Sequence, residues 1–111
     1  MPAEIEMSYD QYREQLQNKL PNVDPFLVLK ILYYERKFPD VDPKVDLTIE
    51  FNDEVNMRGR AYQIQNMFGL SDAIHKNQII ASGRLSIQGL VKLASNKHVK
   101  HIEGNVTPAS Y

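Results

Sequence analysis

The sequence predicts an α+β fold, a β-α-β-β-α-β unit preceded by helices, and three observations lead there. Apolar and polar residues alternate from Val45 to Phe51, the period of a strand with one buried and one wet face, and further strands are expected from Ile79 to Leu85 and at about Val99–Glu103. Between these stretches apolar residues recur at helical spacing, first Met57, Ala61, Ile64 and Phe68, then Ile87, Leu90, Val91 and Ala94. Before Lys44 the regular patterns are two helices followed by a proline break, so the chain divides into a helical extension over residues 1–43 and a mixed unit over residues 44–111.

The extension opens with SYDQYREQLQNKL, where Ser8 is a cap for a short helix with Tyr9, Tyr12, Leu16 and Leu20 on one face. Asp24 is a second N-cap, and Pro25 at the first helical position starts FLVLKILYYERKF. Apolar and aromatic residues surround that helix, which predicts burial in the fold or against a partner. Pro39 and Pro43 then break the chain. In the mixed unit, Val45, Leu47, Ile49 and Phe51 alternate with Asp46, Thr48 and Glu50 as a first strand. Asn52 or Asp53 is the expected cap of the next helix, Gly59 weakens it by up to about 1 kcal/mol, and Gly69 ends it. A hairpin follows, with a weak strand at Ser71–His75, a turn at Lys76–Asn77 and a better strand from Ile79 to Leu85. Ser86 caps the helix in IQGLVKLASNK, and the last strand is expected at about Val99–Glu103. From Lys44 onward this is the order of a ferredoxin-like sandwich, which covers one sheet face with two helices and leaves the other bare for a partner.

Composition narrows the functional classes. The 111 residues carry 13 Lys+Arg against 14 Asp+Glu, a near neutrality that argues against a nucleic-acid binder, and the strands lack the paired aromatics of an RNA-stacking sheet. The charge is uneven: residues 1–54 hold 6 basic and 12 acidic residues and residues 55–111 hold 7 and 2, giving −6 and +5 and the overall −1. This is the pattern of two complementary halves of one fold. The absence of cysteine excludes disulfides and thiolate chemistry. No apolar run approaches the ~20 residues that span a bilayer, and MPAEIEMSYD has neither the basic start nor the apolar core of a signal peptide.

The stretch GRLSIQGLVKLASNKHVKHIEGNVTPASY resembles the C-terminal half of subtilisin-type propeptides, a family of protease chaperones and inhibitors that includes freestanding subtilisin inhibitors. The shared pattern is a strand ending at Leu85, the capped helix after it, a V-x-x-I-E turn into the last strand at Val99, Ile102 and Glu103, and an extended tail ending in Tyr111. The likeness covers residues 44–111, with its specific motifs in the last third. It implies a partner, a subtilisin-like serine protease, whose two surface helices receive the bare sheet face. It also implies that the tail lies in the substrate groove as an added strand. Tyr111 would occupy the pocket before the scissile bond, with Ser110, Ala109 and Pro108 in the next subsites and Thr107 behind them. In the family, carboxylates at the places of Glu103 and Asn105 cap the N-termini of the two protease helices, where free N–H groups and the helix dipole favour an acceptor. Asn105 departs from that acidic pattern, and Pro108 lacks an N–H for a ladder bond. A processed propeptide would be extracellular and also a folding template for its protease; a freestanding inhibitor would be cytoplasmic.

Other readings remain open on the residues alone. NVTPASY has the composition of an ordinary chain end, and Glu103 by itself is a common strand-end carboxylate. His98 and His101 lack a third metal ligand, and Arg58, Arg60 and Arg84 come without a Gly-rich phosphate cradle. No nucleophile, base and orienter can be grouped, so neither an enzyme nor a cofactor site is expected. The alternative function is a ferredoxin-like regulatory or small-ligand-binding domain that self-associates through its sheet.

Overall fold

The structure, a computed structural model, describes Asn18 and residues 20–107. Helix α1 spans Pro25–Lys37, strand β1 Lys44–Phe51, helix α2 Met57–Phe68, β2 Ser71–His75, β3 Gln78–Arg84, helix α3 Ile87–Ala94 and β4 Val99–Thr107. The four strands form one antiparallel sheet in the order β2-β3-β1-β4, with a helix in each of the two crossovers. This is an α+β fold compatible with the ferredoxin-like arrangement.

Strand β1 is the axis of the sheet. Its alternation buries Val45, Leu47, Ile49 and Phe51 and sends Lys44, Asp46, Thr48 and Glu50 to the other face. The register runs from Lys44↔Arg84 to Glu50↔Gln78 on the β3 side and from Lys44↔Thr107 to Phe51↔Val99 on the β4 side, with a bulge between Glu50 and Phe51. The β2–β3 hairpin turns through Lys76, at φ 57°, and Asn77. Phe51 N–H donates to the Asn77 carbonyl at 2.8 Å and the Asn77 amide returns a bond to the Phe51 carbonyl at 3.0 Å, which ties the turn to the end of β1.

The buried sheet face meets Met57, Ala61 and Ile64 of α2 and Ile87, Leu90, Leu93 and Ala94 of α3. Helix α1 packs on β4 and α3 and adds Leu27, Val28, Ile31 and Leu32 to the same cluster, joined by Leu20 and Val23 before it. Asp24 caps α1 through a bond from Phe26 N–H at 3.0 Å. On the outer edge of β4, Asp24 N–H donates to the Ile102 carbonyl at 2.9 Å and Ile102 N–H to the Asn22 carbonyl at 2.8 Å. The start of α1 thus covers part of an edge that would otherwise present free backbone groups. Glu35, near the other end of α1, accepts from Ile87 N–H at 3.3 Å at the N-terminus of α3, where a carboxylate satisfies a free donor.

Several elements differ from the sequence expectation. Helix α2 is capped neither by Asn52 nor by Asp53. Its N-cap is Asn56, left-handed at φ 51° and without a side-chain capping bond. The Asp53 carboxylate is engaged instead by Val55 N–H at 3.0 Å and Arg60 at 2.8 Å, so the chain makes an extra turn before the helix begins. Strand β4 runs on past Glu103 to Thr107. Helix α3 buries Leu93 in addition to the expected residues, while Val91 is only partly covered. Helix α1 is not enclosed: Phe26 and Tyr33 are 71% and 55% exposed. Of the helix expected from Ser8 to Leu20, Asn18 is helical and Leu20 is buried; its other residues, Tyr9, Tyr12 and Leu16 included, lie outside the described residues.

Candidate functional site

The sheet face opposite the helices is polar and exposed, and its β4 half carries the residues singled out from the sequence. Because strand side chains alternate, Glu103, Asn105 and Thr107 point the same way, roughly 7 Å apart along the strand. Their partners across β1 are Thr48, Asp46 and Lys44. Glu103 is exposed and has no side-chain hydrogen bond or ion pair with another described residue. Nearby, Lys100 approaches Glu50 at 3.4 Å. Ile80, 46% exposed, is the large apolar side chain on this face, on the neighbouring strand β3.

Asn105 is not a free acceptor. Its Oδ1 receives Lys30 Nζ of α1 at 2.7 Å and the Val106 N–H at 3.0 Å. Thr107 Oγ1 donates to Asp46 Oδ2 at 3.2 Å, while Asp46 Oδ1 accepts from Ser82 Oγ at 2.7 Å. One carboxylate on β1 therefore ties together β3 and the end of β4. Beside it, Gly104 lies directly against the backbone of Asp46, and a Cβ at this position would collide with the Asp46 carbonyl oxygen, so the close approach of the two strands requires glycine. Pro108, Ala109, Ser110 and Tyr111 lie outside the described residues.

Where β4 approaches α1, Phe26, Leu29, Lys30, Tyr33 and Tyr34 form an open groove with Asn105 and Val106, of about 500 Å³. Lys37 Nζ lies 5.8 Å from the centroid of the Tyr33 ring, within cation–π range. In the same last turn of α1, burial pushes the Glu35 carboxyl above its ordinary range. The hydrogen bond from Ile87 opposes this and the negative charge of Asp42 adds to it. Asp53 is held below the usual carboxylate range by the bond from Val55 N–H and then by Arg60.

Sequence reasoning names Glu103, Asn105 and Thr107 but not Asp46 and Lys30, which the structure joins to Thr107 and Asn105. Asp46 reads locally as one more wet-face residue and Lys30 as one cation on a helix. Their partners are 61 and 75 positions away, and only the β1–β4 register and the docking of α1 bring them together. Among the described residues, no group of three or more His, Cys, Asp or Glu side chains is placed to hold a metal ion, and no helix is long and apolar enough to cross a membrane. Set against protein-family models, curated proteins and solved structures, the chain matches none.

Proposed function

We propose that the chain is a propeptide-type inhibitor of subtilisin-like serine proteases, built as a ferredoxin-like sandwich with a helical extension. The observation that supports this reading is the course of β4. It is an edge strand among the described residues that stays paired to β1 as far as Thr107, carries exposed Glu103 on the sheet face opposite the helices, and is continued in sequence by the residues of the family's tail motif.

In this reading the open face packs on two surface helices of the protease, and Glu103 supplies the acceptor for one helix N-terminus. Asn105 is a weaker second acceptor, because its oxygen already serves Lys30 and Val106. The tail adds a strand to the substrate groove. Tyr111 fills the pocket before the scissile bond, and Ser110, Ala109 and Pro108 take the next subsites. An aromatic anchor suits such a pocket, since it buries a large area with few rotors to freeze. If a protease follows this chain in a precursor, the same surface templates its folding.

Titration against a panel of subtilisin-type proteases is the test. The full chain should inhibit, and a chain lacking residues 108–111 should inhibit orders of magnitude more weakly with an unchanged circular dichroism spectrum. Equal inhibition by the two would refute tail insertion. No inhibition by either, together with a concentration-dependent dimer in sedimentation, would favour the regulatory domain, for which Ile80 on the open face is the supporting feature.

A further inference from the structure

We propose that Asp46 and Lys30 are positioning residues: from two sides they hold the last residues of β4 and thereby aim the C-terminal tail. The functional consequence rests on the inhibitor reading; the restraint itself does not.

The end of an edge strand is where a sheet frays most easily. On its outer side β4 gains a backbone partner at Ile102, through Asn22 and Asp24, so Gly104–Thr107 depend on β1 alone for ladder bonds among the described residues. Two side-chain arrangements compensate. The Asp46 carboxylate is fixed at one oxygen by Ser82 and at the other receives Thr107 Oγ1, pinning the final residue of the strand to the two strands beside it. Lys30 clamps Asn105 Oδ1, and that oxygen also takes the Val106 N–H, an outward-facing donor for which the described residues offer no neighbouring strand. Gly104, packed against the Asp46 carbonyl, allows β4 to come close enough for both.

Geometry turns this restraint into aim. Four residues extend at most about 14 Å, so a swing of only about 20° at Thr107 would displace Tyr111 by about 5 Å, well beyond hydrogen-bonding tolerance. A strand end held in place therefore lowers the ordering cost of inserting the tail. Helix α1, part of the segment that the family likeness does not cover, thereby gains a role at the site through Lys30.

The test uses Asp46→Ala and Lys30→Met in the full chain, with two readouts. In the free protein, amide hydrogen exchange at Asn105 and Thr107, whose N–H groups face β1, should accelerate about three- to tenfold in each variant, the size expected for loss of one modest hydrogen bond, while Ile49 exchanges as in the wild type. Against a protease that the wild type inhibits, each variant should raise the inhibition constant by a similar factor, mainly through faster dissociation. In a chain lacking residues 108–111 the same substitutions should change the residual inhibition by clearly less than they change inhibition by the full chain, because only the contribution made through the tail is lost with it. Unaltered exchange at both amides in both variants would overturn the proposal. So would an equal loss of inhibition with and without the tail, which would place the effect in the sheet face or in overall stability and not in the aim of the tail. A wild type that inhibits no subtilisin-type protease would refute the inhibitor reading, and the exchange data would still decide whether the two side chains restrain the strand.

Discussion

The β1–β4 unit and the N-terminal extension share one core but are attached to it by different forces. From Lys44 to Thr107 the strands are joined by continuous backbone ladders whose register leaves each inward side chain a single place. Residues 20–37 have no such ladder. They are held by the bonds around Ile102, by the Glu35 and Lys30 contacts, and above all by the burial of Leu20, Val23, Leu27, Val28, Ile31 and Leu32. The difference separates topology from stability. Alternation and turns specify the sheet, whereas a unit of about 68 residues is small enough to need an additional apolar layer to offset chain entropy.

The strongest way to break this comparison is to remove the extension. Residues 44–111 alone should lose the cooperative thermal transition that the full chain shows by circular dichroism, because the surfaces of β4 and α3 that α1 covers become exposed, among them fully buried Ile102. Equal melting of the two chains would show that α1 is an accessory layer and not a stabilising one.

A finer version contrasts the two faces of α1. Ile31 is fully buried, and Ile31→Ala should cost about 2–5 kcal/mol in urea unfolding. Phe26, mostly exposed, should change stability by less than about 0.5 kcal/mol when replaced by Ser. A large loss from Phe26→Ser would mean that the exposed stripe packs against part of the same chain.

The same division explains what was legible in the sequence. Local signals were accurate where a side chain acts on its own neighbourhood: Asp24 and Ser86 cap their helices as read, the latter by accepting from Gly89 N–H at 3.1 Å. The Ser71–His75 strand and its two-residue turn also lie where the pattern placed them. The α2 cap was misread because Asp53, a good capping residue by type, is taken up by Arg60 and Val55. The end of β4 was read as tail because Gly104 and Asn105 are poor strand formers. Glycine is present there because of its close contact with the Asp46 backbone, and Asn105 lies across from Asp46 and within reach of Lys30, facts that belong to strand register and helix docking and leave no local periodic trace. The candidate site was legible to the extent that Glu103, Asn105 and Thr107 share a strand face; the side chains that hold that strand were not.

The smallest effect sharpens the comparison at the joint between the two regions. Glu35 reaches from α1 to the N-terminus of α3, an arrangement in which a negative charge is favoured by the helix dipole and opposed by burial. Burial has the larger influence and Asp42 adds to it, so the folded-state pKa lies above the ordinary value of 4.5. A carboxyl whose pKa is raised on folding contributes stability that is fully present below its unfolded value and is lost as pH rises through the folded one. Glu35→Gln keeps an oxygen to accept from Ile87 and removes the titration. The variant should therefore gain on the wild type as pH rises from 4 to 7 in a series of urea melts, the gain setting in as pH passes the ordinary carboxylate value and levelling off once Glu35 is ionised in both states. A gap that moves the other way, with the wild type pulling ahead as Glu35 ionises, would mean that attraction to the α3 N-terminus outweighs the cost of burial, and that the charge itself fastens the extension to the sheet unit.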